Sequence, residues 1–307
     1  MRASIIALCY NHKSFLDEAL SSLENLGPEV EVIVCDDASS DGSGAVLERW
    51  RSKKPDWKFI FNEKNTGNCR SFNSAISLSS GAWILDFSTD DVLIPDAFLR
   101  WLAFAEGQPE AGFIYADAFV FSRKKEEAKR FSAGVKPSEF PEGKIFSSLF
   151  RYNFICPPAV LFHAGRLKAE GGYQNRLAYE DWDIWLRLAG KFQVRRFAET
   201  VIFYRKHPAS LSASLVQRRN KKLPESTLMI LKDVIQRPEF QDVSKDDFAL
   251  FVRYQLRLCF FLQLPEQAAG FFEILKQQCG AGIRDRLLVY GSGKLGFIYP
   301  LYRRLKS

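Results

Sequence analysis

The chain has 307 residues, of which 47% are hydrophobic and 26% charged, which is the balance of an ordinary globular protein. This length allows one large domain, or one domain with an appendage, and supplies enough apolar residues for a core. No apolar run reaches the ~18 residues that a membrane-spanning helix needs, so the sequence predicts no such helix.

The net charge of +7 is concentrated in the last third of the chain. Residues 215–307 carry 16 basic and 9 acidic residues, whereas the two signs balance in residues 1–214. This basic excess is typical of peripheral contact with an anionic membrane, of nucleic-acid binding or of an ordinary solvated surface. Because no nucleic-acid recognition motif accompanies the charge, we expect no nucleic-acid partner, and the other two interpretations stay open.

The chain has six cysteines and three histidines, and these limit the redox and metal chemistry that the sequence allows. The cysteines show no close pairs and no zinc-binding spacing, which favours buried free thiols in a reducing compartment. Three histidines are too few for a histidine-rich metal site. With no charged-then-apolar leader at the N-terminus, we expect a cytoplasmic protein, with the inner face of the membrane as an alternative location.

Strands and helices alternate through the first hundred residues. Runs rich in β-branched and aromatic residues predict strands, and apolar residues at helical spacing predict helices. The predicted strands are 4–9, 31–35, 57–61 and 83–87, and the predicted helices are 13–26, 41–50, 71–78 and 95–106. This alternation favours an α/β protein with a parallel, doubly wound sheet.

The pattern changes after residue 106 and predicts a mixed sheet with long connections. It predicts strands at 112–121 and 201–204, a charged turn or hairpin tip at 123–130, a loop at 133–143 and a helix at 179–188. Three helices follow at 227–235, 248–262 and 266–278. We therefore predict two domains, an α/β domain over residues 1–215 and a helical, basic region over residues 216–307.

Residues 287–296 predict a strand that runs into a Gly-Ser-Gly-Lys-Leu-Gly turn, the spacing of a dinucleotide-binding loop. A dinucleotide site also needs a second strand and an acidic residue about twenty positions further on, and neither follows here. We therefore expect a structural turn or the remnant of a further domain, and no nicotinamide or flavin site.

Polar residues follow the ends of three predicted strands, at 10–11, 36–37 and 90–91. Because the carboxyl ends of parallel strands meet at one edge of a sheet, these residues are expected to line one crevice. Carboxylates there suit Mg²⁺ or Mn²⁺, which in turn suit phosphates. The two acidic pairs also have a structural interpretation, because acidic residues often cap the next helix or close an Asx turn.

A fourth polar segment, residues 65–75, contains a glycine, opens a predicted helix and carries Arg70. The guanidinium of Arg70 can neutralise a phosphate, and a helix N-terminus also attracts one. The alternative is an ordinary solvated arginine.

The order and spacing of these motifs resemble those of the family 2 glycosyltransferases, which have the GT-A fold. The resemblance rests on SIIALCYN from Ser4, VIVCDDASSDGS from Val32, NTGNCRSFNSAISLSSGAWI from Asn65 and STDD from Ser88. It is continuous over residues 3–100 and weaker to about residue 215.

The resemblance implies a metal-dependent, inverting transferase that uses Mn²⁺ or Mg²⁺. Such an enzyme would move a sugar from a nucleotide-diphosphate donor, most often a UDP-sugar, to a saccharide or lipid-linked glycan acceptor, as in cell-surface polysaccharide synthesis. The rival hypothesis is a non-catalytic nucleotide-sugar-binding or scaffold protein on the same fold.

The same resemblance assigns residues to the donor site. The nucleotide contacts would be Ala7, Tyr10, Asn11, Asp36, Asp37, Arg70 and Asn73. The metal would be bound by Asp90, with Asp91 and His207 as further ligands. One departure is plain, because Ser88 occupies a position where many members of the family have a third carboxylate.

A second acidic motif begins the predicted helix at 179–188. Direct displacement at a sugar needs a general base for the acceptor hydroxyl, ideally a carboxylate. By resemblance to the family's Glu-Asp motif, Asp181 is the candidate base, and Glu180 orients it or contacts the sugar. The alternative is that both carboxylates only stabilise the helix N-terminus, at ~0.3–1 kcal/mol each.

Overall fold

A computed structural model describes residues 1–136, 139–151, 154–210 and 221–294, which divide into two units. The first unit comprises Met1–Ile145, Asn153–Asn175 and Glu180–His207, and the second comprises Phe146–Tyr152, Arg176–Tyr179 and Pro208–Ser307. The predicted domain boundary near residue 215 lies outside the described residues. Two short segments from the middle of the chain belong to the second unit, which the sequence pattern does not indicate.

The first unit contains a mixed sheet and its covering helices. Its strands are β1 (Ala3–Cys9), β2 (Val30–Asp36), β3 (Lys58–Phe61), β4 (Trp83–Ser88), β5 (Val92–Leu93), β6 (Ala111–Phe121), β7 (Lys129–Arg130), β8 (Val160–His163) and β9 (Gln193–Arg205). Its helices are α1 (Leu16–Ser21), α2 (Ser43–Lys53), α3 (Asn68–Leu78), α4 (Pro95–Glu106), α5 (Ala164–Ala169) and α6 (Glu180–Lys191).

The strand order is β3-β2-β1-β4-β8-β6-β9-β5, with β7 paired to β6. Strands β1 to β4 pair in parallel, whereas β8 pairs antiparallel with both β4 and β6. The predicted α/β architecture, with a parallel first half and a mixed second half, is therefore confirmed.

The register of β1 brings three strand ends to the same edge. Cys9 at the end of β1 lies opposite Asp36 of β2, and Leu8 lies opposite Ser88 of β4. All seven residues of β1 are buried, since helices cover both faces of the sheet. The polar residues that follow these three strands are therefore neighbours at one edge of a rigid sheet.

Gly81 permits a close approach between the start of β4 and β1. A Cβ atom built at Gly81 would lie 2.3 Å from the carbonyl carbon of Ala3 and 2.3 Å from the backbone nitrogen of Ser4. The Gly81 nitrogen also donates a hydrogen bond to Ser4 Oγ at 2.9 Å. Only glycine fits here without moving the backbone of β1.

The second unit is helical in its described residues. Its helices are α7 (Lys222–Val234), α8 (Lys245–Leu262), α9 (Pro265–Gln278) and α10 (Ile283–Lys294). Pro265 occupies the first turn of α9, and Ser244 caps α8 by accepting a hydrogen bond from the Asp247 nitrogen at 3.3 Å. No helix among the described residues is long and apolar enough to cross a membrane.

The strand predicted at 287–290 is wrong, because these residues lie inside α10. A short apolar run does not by itself distinguish a strand from a helix. Tertiary contacts decide the outcome here: α10 packs against α8 and α9, and Asp285 pairs with Arg253 of α8 at 3.3 Å. A dinucleotide-binding turn needs a strand before it, so that interpretation loses its basis.

Replacing Gly81 with alanine is expected to lower the free energy of unfolding by at least about 2 kcal/mol, because the added methyl group forces β1 and β4 apart. The matched control is Gly44→Ala in α2, where the nearest atom to a new Cβ is Asp36 Oδ2 at 3.9 Å. We expect the control to be as stable as the parent or slightly more so. Chemical denaturation measures both, and a Gly81→Ala variant with unchanged stability would contradict the close approach.

Candidate active site

The loops after β1 and β2 are joined by short hydrogen bonds. Asn11 and Ala38 both adopt φ of +58°, and the Asn11 side-chain oxygen accepts a hydrogen bond from the Ser40 nitrogen at 2.8 Å. Ser39 Oγ accepts one from the Asn11 nitrogen at 2.9 Å and donates one to Asp36 Oδ1 at 2.5 Å. Asp36 therefore closes a turn with Ser39, which is the structural interpretation that the sequence left open, and its contact with a nucleotide stays a prediction.

Asp37 anchors the loop that leads into α3. Its carboxylate accepts hydrogen bonds from the Asn62 side chain, the Thr66 nitrogen and hydroxyl, and the Gly67 nitrogen, all at 2.8–3.0 Å. Burial alone would raise the pKa of Asp37, but these donors outweigh it and hold the pKa below the usual value. Asp37 therefore holds the loop before α3 in position. Its carboxylate, which was predicted to contact the nucleotide, is already surrounded by donors from this loop and from Asn62.

Of the other predicted nucleotide contacts, two are exposed, and two are buried or hydrogen-bonded within the protein. Tyr10 is 46% exposed just beyond β1, and Arg70 is exposed in the first turn of α3. Ala7 is fully buried in the middle of β1 and belongs to the core. Asn73 bonds through both side-chain polar atoms to the backbone of Tyr173, at 2.7 and 2.9 Å. Ala7 and Asn73 therefore have structural roles in this fold, Tyr10 and Arg70 are free to meet a ligand, and the nucleotide contact of each stays a prediction.

A histidine–aspartate–histidine cluster lies at the strand edge. The ligand atoms of His12, Asp90 and His207 all lie within 4.8 Å of one another. His207 Nε2 is 2.9 Å from Asp90 Oδ2, and His12 Nε2 is 3.9 Å from the same oxygen. Two of the three histidines therefore enter a candidate metal site, and one of them, His207, was predicted as a ligand. His12 was not predicted as a ligand.

Thr89 fixes the orientation of the His12 ring. The Thr89 hydroxyl donates to the Leu8 carbonyl oxygen at 3.0 Å and lies 2.9 Å from His12 Nδ1. Because the single hydroxyl proton is used on Leu8, Nδ1 of His12 must carry the proton in this pair. The lone pair of His12 then lies on Nε2, which faces Asp90.

Asp91 does not join the metal cluster formed among the described residues. Its side chain is 1% exposed, and Oδ1 accepts a hydrogen bond from the Arg205 nitrogen at 2.7 Å. Burial, and then the charge of Asp90, raise the pKa of Asp91 well above its usual value. Asp91 thus holds the end of β9 in place, and this geometry does not support its predicted role as a metal ligand.

A second acidic cluster lies at the N-terminus of α6, where Glu180 and Asp181 begin the helix. Burial, together with the neighbouring carboxylates of Glu180 and Asp86, raises the pKa of Asp181 to about 7. Burial also raises the pKa of Asp86 to about 7, against the hydrogen bond that Tyr173 donates to it at 2.8 Å. Carboxyl groups with pKa values near neutrality are suited to proton transfer at physiological pH.

Sequence reasoning missed His12, Thr89, Asp86 and Tyr173. Asp86 had a visible signal, because it interrupts the apolar run Trp83–Ser88 with a charge. His12 had a weaker signal, since it follows β1 on the same strand edge as Asp90. Thr89 and Tyr173 act through hydrogen bonds that no sequence spacing indicates.

Known proteins can now be compared with this fold and site. The model of the family "Glycosyl transferase family 2" matches residues 4–163, more than half of the chain, which therefore belongs to this family and is a glycosyltransferase.

Two comparisons of different kinds agree with this assignment. The amylovoran biosynthesis glycosyltransferase AmsE of Erwinia amylovora is 27% identical over 191 residues, which cover 60% of this chain and 68% of AmsE. The structure of S. aureus TarS residues 1–349 in complex with UDP-GlcNAc superposes with a TM-score of 0.71 at 18% identity, covering 99% of this chain and 92% of that one.

A third similar structure is the mannosyltransferase PcManGT of Pyrobaculum calidifontis, in complex with GDP-Man and Mn²⁺. It has a TM-score of 0.59 at 17% identity and covers 99% of this chain and 82% of its own. At these identities the two structures establish the GT-A fold of this chain.

Replacing Asp86 with asparagine is expected to stabilise the protein at pH 8. An unfolded aspartate loses its proton near pH 4, whereas folded Asp86 keeps its proton to about pH 7, so ionisation of Asp86 destabilises the fold as pH rises between these values. The gain should be absent below pH 4 and complete above pH 7. Allowing for partial exposure to solvent, we expect a gain on the order of 1 kcal/mol, or about 2–4 °C in melting temperature.

Thermal unfolding of parent and variant from pH 4 to pH 8 measures this gain. Asp56→Asn is the control, because Asp56 is an exposed carboxylate and its removal should shift the melting temperature little at any pH. A gain that is equally large at pH 4 and pH 8 would contradict the raised pKa of Asp86.

Proposed function

We propose that this protein is a metal-dependent, inverting glycosyltransferase that moves a sugar from a nucleotide-diphosphate donor to a saccharide or lipid-linked glycan acceptor. A UDP-sugar is the favoured donor, because UDP-GlcNAc is bound in the similar TarS structure. The name of AmsE supports a role in polysaccharide synthesis. Peripheral contact of the basic C-terminal region with a membrane stays a prediction.

The observation that carries this proposal is the cluster of His12, Asp90 and His207 at the strand edge. Its ligand atoms lie within 4.8 Å of one another, so small movements of the side chains would bring all three to bonding distance, ~2.0–2.2 Å, from one divalent cation. Two imidazole nitrogens and a carboxylate oxygen are competent metal ligands. A bound divalent cation would supply positive charge for the diphosphate leaving group.

Three residues near the strand edge are placed to bind the phosphates and the base of the donor or to position the residues that do. Exposed Arg70 at the start of α3 can pair with a phosphate oxygen of the donor. Asp37 holds the loop before α3, so it sets the position of Arg70. Exposed Tyr10 offers an aromatic ring beside the strand edge for the nucleotide base.

Asp181 is the proposed general base, and Glu180 lies beside it. Asp181 accepts a backbone hydrogen bond from Trp182 at 2.7 Å through Oδ1, and its raised pKa gives it affinity for a proton near pH 7. In the transfer step the acceptor oxygen forms a bond to the anomeric carbon while the bond to the diphosphate oxygen breaks. The hydroxyl proton moves to the Asp181 carboxylate, and the diphosphate leaves with the electron pair.

Replacing Asp181 with asparagine is expected to lower kcat by about 10²–10⁴-fold while the affinity for the donor is kept. Asp96→Asn is the matched control, because Asp96 is an exposed aspartate in the first turn of α4 and stabilises a helix N-terminus in the same way. If both variants lose activity equally, or neither does, the base assignment is wrong.

The pH profile of kcat/KM tests the same assignment in the parent enzyme. Asp181 accepts a proton only when ionised, so the rate should fall about tenfold for each pH unit below about 7 and level off above it. Donor binding without any transfer at any pH, by parent and Asp181→Asn alike, would favour the non-catalytic alternative.

A thermal-shift panel of nucleotide diphosphates and their sugars, with and without Mn²⁺, is expected to identify the donor. A ligand present at 100 times its Kd stabilises the folded state by about 2.7 kcal/mol. We expect UDP and a UDP-sugar to raise the melting temperature only with the cation present. Equal stabilisation by all nucleotides without metal would contradict a cation-dependent donor site.

A further inference from the structure

We propose that His12 is the third protein ligand of the cation, supplying the donor atom that Ser88 cannot, and that the site selects a transition-metal cation such as Mn²⁺, Co²⁺ or Zn²⁺ over Mg²⁺. The role of this cation toward a donor rests on the proposed function. Its binding to the three side chains does not, and can be measured without any substrate.

The first support is the geometry of the cluster. Nε2 of His12 lies 3.9 Å from Asp90 Oδ2, and Nε2 of His207 lies 2.9 Å from it, so one oxygen faces both rings. The three side chains are 9–14% exposed. The three side chains are thus largely shielded from solvent, and three protein ligands would leave further coordination positions for water or a ligand oxygen.

The second support is the hydrogen bond on the far side of the His12 ring. Metal-binding histidines almost always donate the N–H of their other ring nitrogen to an oxygen, which fixes the tautomer and the ring direction. His12 has this arrangement, because Nδ1–H donates to Thr89 Oγ1 while Thr89 donates to the Leu8 carbonyl. Thr89 is fully buried, so water does not compete for this bond.

The third support is the rigid placement of His12. Its backbone nitrogen donates to Ser43 Oγ at 3.1 Å, and its carbonyl oxygen accepts from the Phe15 nitrogen at 2.8 Å. The Phe15 ring in turn lies 4.9 Å, centroid to centroid, from the His207 ring. Both imidazoles are therefore held near Asp90 by neighbours other than the cation, which lowers the cost of binding it.

The donor set determines the metal preference. Mg²⁺ takes oxygen ligands in a strict octahedral arrangement, whereas imidazole nitrogen suits the transition metals and Zn²⁺. With two nitrogens and one carboxylate oxygen, this cluster is a poor magnesium site and a better site for Mn²⁺, Co²⁺ or Zn²⁺, of which Mn²⁺ should bind most weakly. A conventional carboxylate site would show a weaker preference.

The chain has only three histidines, so NMR of the imidazole nitrogens in ¹⁵N-histidine-labelled protein resolves each of them. On titration with Zn²⁺, with and without UDP, we expect the ring signals of His12 and His207 to shift together at one equivalent. His163 is the internal control and should not move. Mg²⁺ at the same concentration should leave all three signals unchanged.

Variants test the ligand and the hydrogen bond behind it. By isothermal titration with Zn²⁺ and Mn²⁺, His12→Ala should lose at least 100-fold in affinity and Thr89→Val about 10- to 100-fold. Thr227→Val is the matched control, because the buried Thr227 hydroxyl also donates to a backbone carbonyl, that of Leu223 at 2.9 Å. This control should bind both metals like the parent.

The inference is overturned if Zn²⁺ shifts His207 alone or neither histidine, in the absence and the presence of UDP. It is also overturned if His12→Ala binds Mn²⁺ as tightly as the parent, or if Mg²⁺ competes with Zn²⁺ at equal concentration. Failure of the proposed function looks different, because the parent would then bind the cation through both histidines and yet transfer no sugar.

Discussion

The geometry of the site depends on Arg205, which fixes the end of β9 to the segment after β4. Its backbone nitrogen donates to Asp91 Oδ1 at 2.7 Å, its Nε donates to the Asp90 carbonyl at 2.8 Å, and its guanidinium pairs with Glu18 at 2.5 Å between two phenylalanine rings. A guanidinium that is 8% exposed needs these partners to offset its desolvation. His207 follows Arg205 by two residues, so its ring reaches Asp90 because Arg205 holds the strand end there.

The parallel half of the fold could be predicted from local pattern alone. Each buried parallel strand is a nearly continuous apolar run, as all seven residues of β1 show, and a helix of clear periodicity follows each one. The second half could not be predicted as well. β9 extends over Gln193–Arg205 although it contains paired arginines, because long pairing with β6 outweighs a weak intrinsic preference. Residues 287–290 became helical for the same kind of reason, since packing against α8 and α9 decides the structure of a short apolar run.

The candidate site could be predicted to the level of its motifs and no further. Asp90 and Asp181 were found because strand ends and a helix start are visible in the sequence. The hydrogen-bonding roles of Asp37 and Asn73 could not be predicted, because their partners are backbone groups of distant loops. Gly67 lies thirty residues from Asp37, and Tyr173 lies a hundred residues from Asn73. A sequence pattern places a carboxylate at an edge, but the hydrogen bonds around it decide whether it meets a ligand or holds the backbone.

The carboxyl groups of the first unit differ in pKa because their surroundings differ, and this difference indicates which of them suits proton transfer. Asp37 is surrounded by donors that keep it ionised and hold it in place, so it has little affinity for a proton. Asp181 and Asp86 are half-buried near each other and near Glu180 with few donors, so their pKa values rise to about 7. Groups whose environments push their pKa values apart take different roles in one site. In the proposed function, proton transfer therefore falls to the start of α6, and the fixed charges that would meet a cation and a diphosphate lie at the ends of β1 and β4.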